Sequence, residues 1–253
     1  MSKNQLFVFL LVIISLAGCS RHQKEEGGDA VKILFSGSVQ GGDGQALFLT
    51  HITPELPQGL CSSAVSKGGG FTLSCTPENE EPAFYRIGFN EQNCLVTLAK
   101  KGEKINFNIK DASRISRHYT ATGSKDAELM CELDQKLSLF NDSMEVLSSW
   151  YNARIHDDTL RAFIDSCYLL IKGHHTEYLR NFIHQNSNSL SIIIAFYQTC
   201  TMGAFFNEKE ELELMETMLQ SLKKNYPKNE NVRWLQERIE KIRALQQNEN
   251  PNV

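Results

Sequence analysis

The 253-residue chain contains no Cys-x-x-Cys pair, and with it goes the acidic, attacking thiolate on which a thioredoxin-like redox site depends. No Gly-x-Ser-x-Gly, P-loop or dinucleotide fingerprint is present either, which removes the usual spellings of a hydrolase nucleophile and of a phosphate cradle. The glycine run Gly68 to Gly70 sits between two β-rich segments and reads as a turn. Basic residues are not in excess: 26 Lys and Arg stand against 30 Asp and Glu, a net charge of −4. That balance gives no electrostatic reason to bind nucleic acid, and none for a basic membrane patch. No run approaches the roughly 20 apolar residues that a membrane-spanning helix requires. The histidines lack metal spacing, because His174-His175 and His184 do not match His-Glu-x-x-His or another close ligand pair. They read as exposed or partly buried histidines at the surface of a helix hairpin, and the sequence asks for no metal and no cofactor. Glu208, Glu210, Glu211 and Glu213 likewise read as a solvated helix start that complements the dipole.

What is present begins at the amino end. Lys3 supplies a positive n-region, Leu6 to Ile14 a short apolar stretch, and Ala17 and Gly18 the small residues of a cleavage site. The residue after the cut is a cysteine. Leu16-Ala17-Gly18-Cys19 thereby resembles the lipobox of bacterial lipoproteins, whose cysteine sulfur receives a diacylglyceryl group and becomes the mature amino terminus. The resemblance implies a leader over residues 1–18, lipidation of Cys19, and attachment through that lipid at the outer membrane or cell surface. Two or three acyl chains hold a protein durably at a bilayer where one alone does not. Losing the leader removes only the charge of Lys3 and leaves 235 residues with a net charge of −5. That length suffices for one large domain or two ordinary ones. Residues 19–30 are almost free of apolar side chains and read as a flexible tether. Within them, Lys24-Glu25-Glu26 is similar to the acidic sorting signal of some surface lipoproteins; a solvated spacer also accounts for it.

Residues 31–123 carry short β-rich runs punctuated by Gly, Pro and Asn, with no helical period between them. The runs are Val31 to Val39, Gln45 to Ile52, Cys61 to Ser66, Phe71 to Cys75, Ala83 to Phe89, Cys94 to Ala99, Ile105 to Ile109 and His118 to Ala121. Their spacing predicts an antiparallel β-sandwich or barrel. Gly41-Gly42-Asp43-Gly44 and Lys67-Gly68-Gly69-Gly70 supply the positive φ that tight turns need. A hairpin centred on the second turn pairs Val65 with Phe71 and Cys61 with Cys75. Cross-strand neighbours of that kind lie about 4.5 Å apart at Cα, at the lower edge of disulfide geometry. The register predicts a Cys61 to Cys75 bridge, the alternative being two small buried thiols. Apart from Cys19, six cysteines remain, an even number that an exported protein can oxidise in 15 ways.

From residue 124 the period turns helical. Leu129, Leu133, Leu137, Phe140, Met144, Leu147 and Tyr151 form one stripe behind Ser124, a natural N-cap. Leu160, Phe163, Cys167, Ile171, Tyr178 and Phe182 form a second behind Asp157-Asp158, and the two helices read as an antiparallel hairpin. Leu190 to Cys200 is apolar on nearly all sides, as a short buried helix would be. Two further amphipathic helices follow, separated by Pro227, so residues 124–246 form a helical bundle and residues 247–253 a disordered tail. The fold class is α+β, an antiparallel β-sandwich followed by helices.

Taken in order, Ser36-Gly37-Ser38-Val39, the Gly42-Asp43-Gly44 turn, Ser62-Ser63-Ala64-Val65, Gly70-Phe71-Thr72-Leu73, Phe84-Tyr85-Arg86 and Lys101-Gly102-Glu103-Lys104 form a pattern. Thr122-Gly123-Ser124, Asn188-Ser189-Leu190 and Ala195-Phe196-Tyr197-Gln198 continue it. The pattern resembles the uncharacterised amino-terminal β-domain, with its helical region, that precedes TlpA-like thioredoxin domains in lipoproteins of the Bacteroidota. The thioredoxin part has no counterpart here, so the resemblance transfers no redox residue. It implies a lipid-anchored, non-enzymatic module that presents a surface to an envelope protein or a small ligand. The enzyme-class alternative is an accessory of thiol-disulfide exchange acting through Cys94, Cys131, Cys167 or Cys200.

Overall fold

The computed structural model describes residues 31–153 and 157–249, which belong to one compact unit. Cys19, the leader, the tether and residues 250–253 lie outside the described residues. Strands β1 (Ile33–Val39), β2 (Ala46–Ile52), β3 (Gln58–Ala64), β4 (Gly70–Cys75), β5 (Ala83–Gly88), β6 (Cys94–Ala99), β7 (Lys104–Ile109) and β8 (Tyr119–Thr122) form two four-stranded sheets. The first runs β4-β1-β7-β8 and the second β3-β2-β5-β6. Alternation decides which side chains meet: Phe35, Leu49, Leu73, Tyr85, Ile87, Leu95, Ile105 and Phe107 all point into the space between the sheets. Phe35 centres this layer, 5.4 Å from the Tyr85 ring and 6.5 Å from that of Phe107.

Two features depart from the antiparallel hairpin plan. β1 and β7 pair in parallel, with Gly37 opposite Phe107. At Gly37, φ is +153° and a Cβ would stand 1.9 Å from the Phe107 carbonyl oxygen, so only glycine lets the two backbones approach. The second departure corrects the predicted hairpin of β3 and β4. Its register holds at the turn, where Ser66 N donates to Gly70 O at 2.7 Å, and then the strands part into different sheets. Cys61 faces Leu49, and Cys75 faces Ile33.

Helices α1 (Lys125–Ala153), α2 (Asp158–Gln185), α3 (Ser191–Phe196), α4 (Leu212–Asn225) and α5 (Glu230–Glu249) follow, with a two-residue ladder of β9 (Thr199–Cys200) and β10 (Gly203–Ala204) after α3. Asp157 caps α2, accepting from Leu160 N at 3.0 Å. Ser124 stands at the N-cap position of α1, its carbonyl accepting from Glu128 N at 3.0 Å, but its hydroxyl is buried without a partner among the described residues and makes no cap bond. The buried helix ends at Phe196, earlier than its apolar run, and α5 continues to Glu249, past the expected boundary at residue 246.

Sheet and bundle interlock. β5 and β6 carry apolar side chains on both faces at the end of the sheet that the helices cover. Tyr85, Ile87 and Leu95 serve the sandwich, while Phe84 and Leu98 enter the helical core beside Leu133, Phe182 and Ile193. Ala127 and Cys131 of α1 return the exchange by packing into the sandwich. Among the described residues no helix is long and apolar enough to cross a membrane.

Candidate functional site

The helices cover only one end of the second sheet's outer face, and the uncovered end carries a groove of about 520 Å³. In the row left open, Phe48 of β2 lies between Ser62 of β3 and Gly88 of β5. The next row holds Thr50 beside Arg86. The β2–β3 ladder slips between Leu49 and Thr50: Leu49 faces Cys61 and Thr50 faces Gly59, which leaves Leu60 as the extra residue of a bulge. Bulges re-aim side chains, and the half-exposed Leu60 lines the groove with Phe48 and Phe89. Gly88 has to be small, since a Cβ there would stand 2.4 Å from that of Cys94.

Arg86 and Glu91 supply the groove's charges. The Arg86 guanidinium lies 3.7 Å from Glu91, its one ionic partner among the described residues. At that distance the contact is electrostatic, and among the described residues the planar fork of donors makes no hydrogen bond. An arginine fork at the rim of an apolar groove suits a ligand with an apolar body and a carboxylate or phosphate group. Sequence reasoning missed this site. The alternation Phe84, Arg86, Gly88 along one strand face was its only local trace, and it becomes a site only because the helices stop short of Arg86.

The loop Phe89 to Asn93 separates the groove from a smaller polar cleft between sandwich and α1, lined by Asn93, Arg117, Asp134 and Ser138 among others. Asn93 anchors the wall, donating to Ala112 O at 2.7 Å and accepting from Ile115 N at 3.0 Å. Asp134 opens partly onto the cleft while its carboxyl is enclosed by protein. Burial pushes that carboxyl up to about 7, although the Tyr119 hydroxyl, donating at 2.7 Å, pulls the other way. With Gln135 and Cys131 both donating to Tyr119 O, the group is a latch between β8 and α1.

The thiols occupy different places. Cys61 and Cys75 are free, and Cys61 Sγ donates to Ser74 O at 3.4 Å across the gap between the two sheets. Burial pushes the Cys75 thiol up to about 11, with Tyr85 opposing and the neighbouring Cys61 adding to the rise. Burial also raises Cys94 and Cys131. Cys167 on α2 and Cys200 on β9 are half-buried and far apart in the chain.

His174 and His184 are exposed, but His175 is a core residue. Its ring packs 4.5 Å from Phe205 and 5.1 Å from Phe140, and its Nε2 lies 2.7 Å from Gln198 Oε1. Burial holds its pKa below the ordinary range. The acidic run before α4 is not merely solvated. Glu211 takes both Arg180 amines, at 2.8 and 2.6 Å, and Glu208 takes Arg238 in the same bidentate way together with the Tyr197 hydroxyl. Among the described residues no group of three His, Cys, Asp or Glu side chains could hold a metal ion. No protein-family model matches the chain, and no curated protein matches it.

Proposed function

We propose that the protein is a lipid-anchored component of the cell envelope that binds and presents a ligand and performs no chemistry on it. Anchorage rests on the lipobox-like Leu16-Ala17-Gly18-Cys19. Binding rests on the groove, whose 520 Å³ falls within the size range of small-molecule sites and whose walls combine Phe48, Leu60 and Phe89 with Arg86. The ligand is amphipathic, an acyl or aryl body with one anionic group. The direction of the thiol shifts favours this reading over an accessory role in disulfide exchange, because burial makes Cys94 and Cys131, two of the four cysteines that role would use, poorer nucleophiles.

The groove is tested by nuclear magnetic resonance titration of residues 31–253 with octanoate and, separately, octanol. Octanoate is expected to shift Phe48, Leu60 and Gly88 and to bind about tenfold more weakly to Arg86→Gln, the loss of one charge-assisted contact. Octanol should bind both proteins alike. No response in the groove at millimolar octanoate, or equal octanoate binding to Arg86→Gln, removes the proposal.

A further inference from the structure

α1 and α2 outrun the body they belong to. The helical core reaches no further along them than Met144 and Ile171, so the rest of the hairpin, toward the α1–α2 connection, packs chiefly on itself through the buried Leu147 and Ile164. On that arm, and on the turn of α1 that leads into it, large apolar side chains are left in solvent. Leu139 is 60 % exposed, Val146 48 %, Trp150 49 %, Phe163 56 % and Leu170 60 %, while Leu169, 67 % exposed, falls on another side of α2.

These five residues share one face. At about 100° per residue, Leu139, Val146 and Trp150 fall within an arc of roughly 40° on α1, and Phe163, Cys167 and Leu170 within roughly 60° on α2. Referred to the inward Leu147 and Ile164, the two arcs are displaced in the sense that puts them on the same side of an antiparallel pair. The cross-hairpin contacts set the levels: the Tyr178 hydroxyl donates to Glu132 at 3.1 Å, and Arg161 lies 5.6 Å from the Tyr151 ring. That register brings Trp150 level with Phe163, Val146 with Cys167, and Ser143 with Leu170. No Asp, Glu, Lys or Arg interrupts the strip, whose end at Leu139 is level with the exposed His174. Asp142, at its edge, is tied to Arg117, while Arg161, Asp165 and Lys172 fall on the other flank.

We propose that this face is a homodimer interface, on which the same face of a second copy packs about a twofold axis to make a four-helix arrangement. Area and charge identify the occupant. The five side chains expose on the order of 500 Å² per copy, so two faces bring together about 1,000 Å² of apolar surface before any polar rim is added, the scale of a specific interface. A face without Asp, Glu, Lys or Arg, and with only the imidazole of His174 at its end, meets its own copy without repulsion between fixed charges, as an isologous contact requires. A bilayer surface is the poorer match, because the strip has no Lys or Arg rim to meet headgroups.

The experiment uses residues 31–253, the compact unit that holds both cores. Sedimentation from 1 to 100 µM, about the range in which a contact of this size saturates, is expected to show a monomer–dimer equilibrium. A short bismaleimide should link Cys167 to the Cys167 of the second copy, identified by peptide mass, because Cys167 lies midway along the strip. Trp150→Glu and, independently, Phe163→Ser should weaken dimerisation at least about tenfold while leaving the helical circular dichroism intact, since neither side chain enters a core. A monomer throughout the concentration range, a dimer indifferent to both variants, or a monomer that sediments with phosphatidylcholine vesicles through this face would overturn the proposal.

Discussion

At Gly37 a single missing methyl group decides whether the first sheet can form. The parallel partners β1 and β7 meet where a Cβ would overlap the Phe107 carbonyl, so Gly37→Ala is expected to cost about 3 kcal/mol or more, read as a lowered urea midpoint. A midpoint within error of wild type would mean that the strands can separate at little cost. Asp134 is the residue whose environment most disagrees with its chemistry. Its carboxyl titrates near 3.8 when unfolded and about 7 when folded, so its contribution to stability is fully present below 3.8 and is lost as pH rises through 7. The loss is bounded by about 4 kcal/mol, and Asp134→Asn, which keeps an acceptor for Tyr119, should abolish it. Urea unfolding of both proteins across this pH range checks the sign, since wild type should fall relative to the variant toward alkaline pH. Parallel profiles would show that the carboxylate is solvated. None of this could be read from the sequence, where Asp134 is one acidic residue among several on α1.

At the scale of elements, the bundle is fastened by carboxylates that precede α4. Arg238 of α5 grips Glu208, and Arg180 of α2 grips Glu211, so one short segment is clamped from two sides. Both pairs are partly exposed, which limits each to about 1 kcal/mol. Arg238→Met should cost about that much, with a coupling of similar size to Glu208→Gln in a double-mutant cycle. The Arg238 bond holds the Glu208 carboxyl below its ordinary 4.5, so the clamp contributes above that pH and is lost as pH falls. A coupling near zero would show that the geometry is an exposed pair without energetic consequence. The acidic run was read as the start of α4, but Glu208, Glu210 and Glu211 precede it, and the sequence could not supply their partners because Glu208 and Arg238 are brought together only when α5 folds back. The β3–β4 turn teaches the same lesson. Its glycines were legible, yet the strands they join belong to different sheets, and the nearness of Cys61 to Ser74 is a contact between sheet edges. Oxidation of Cys61 with Cys75 would therefore bridge the sheets. Protein recovered from an oxidising compartment should leave this pair unalkylated without reductant; ready labelling of both cysteines excludes the bridge.

For the whole molecule, the exchange of side chains between the two regions predicts that they unfold together. Phe84 and Leu98 lie in the helical core, and Ala127 and Cys131 in the sandwich. Calorimetry of residues 31–253 should show one transition with matching calorimetric and van't Hoff enthalpies, whereas two separated peaks would mean two independent domains. The amino-terminal anchor makes a separate demand: metabolic labelling with palmitate should mark the wild-type chain and not Cys19→Ala, and an unlabelled wild type would remove the lipid from the proposed function.

Local periodicity was enough for the eight strands of the two sheets, the five helices, the α+β division near residue 123 and the cap at Asp157, because each depends on neighbours a few positions apart; the short β9–β10 ladder left no such trace. Which strands share a sheet, which end of it the helices leave open, where Arg86 finds its groove and how the hairpin outruns its core were settled in three dimensions. Those outcomes depend on surfaces meeting across long stretches of chain, and the free energy of burying one face against another is not written in the spacing of either.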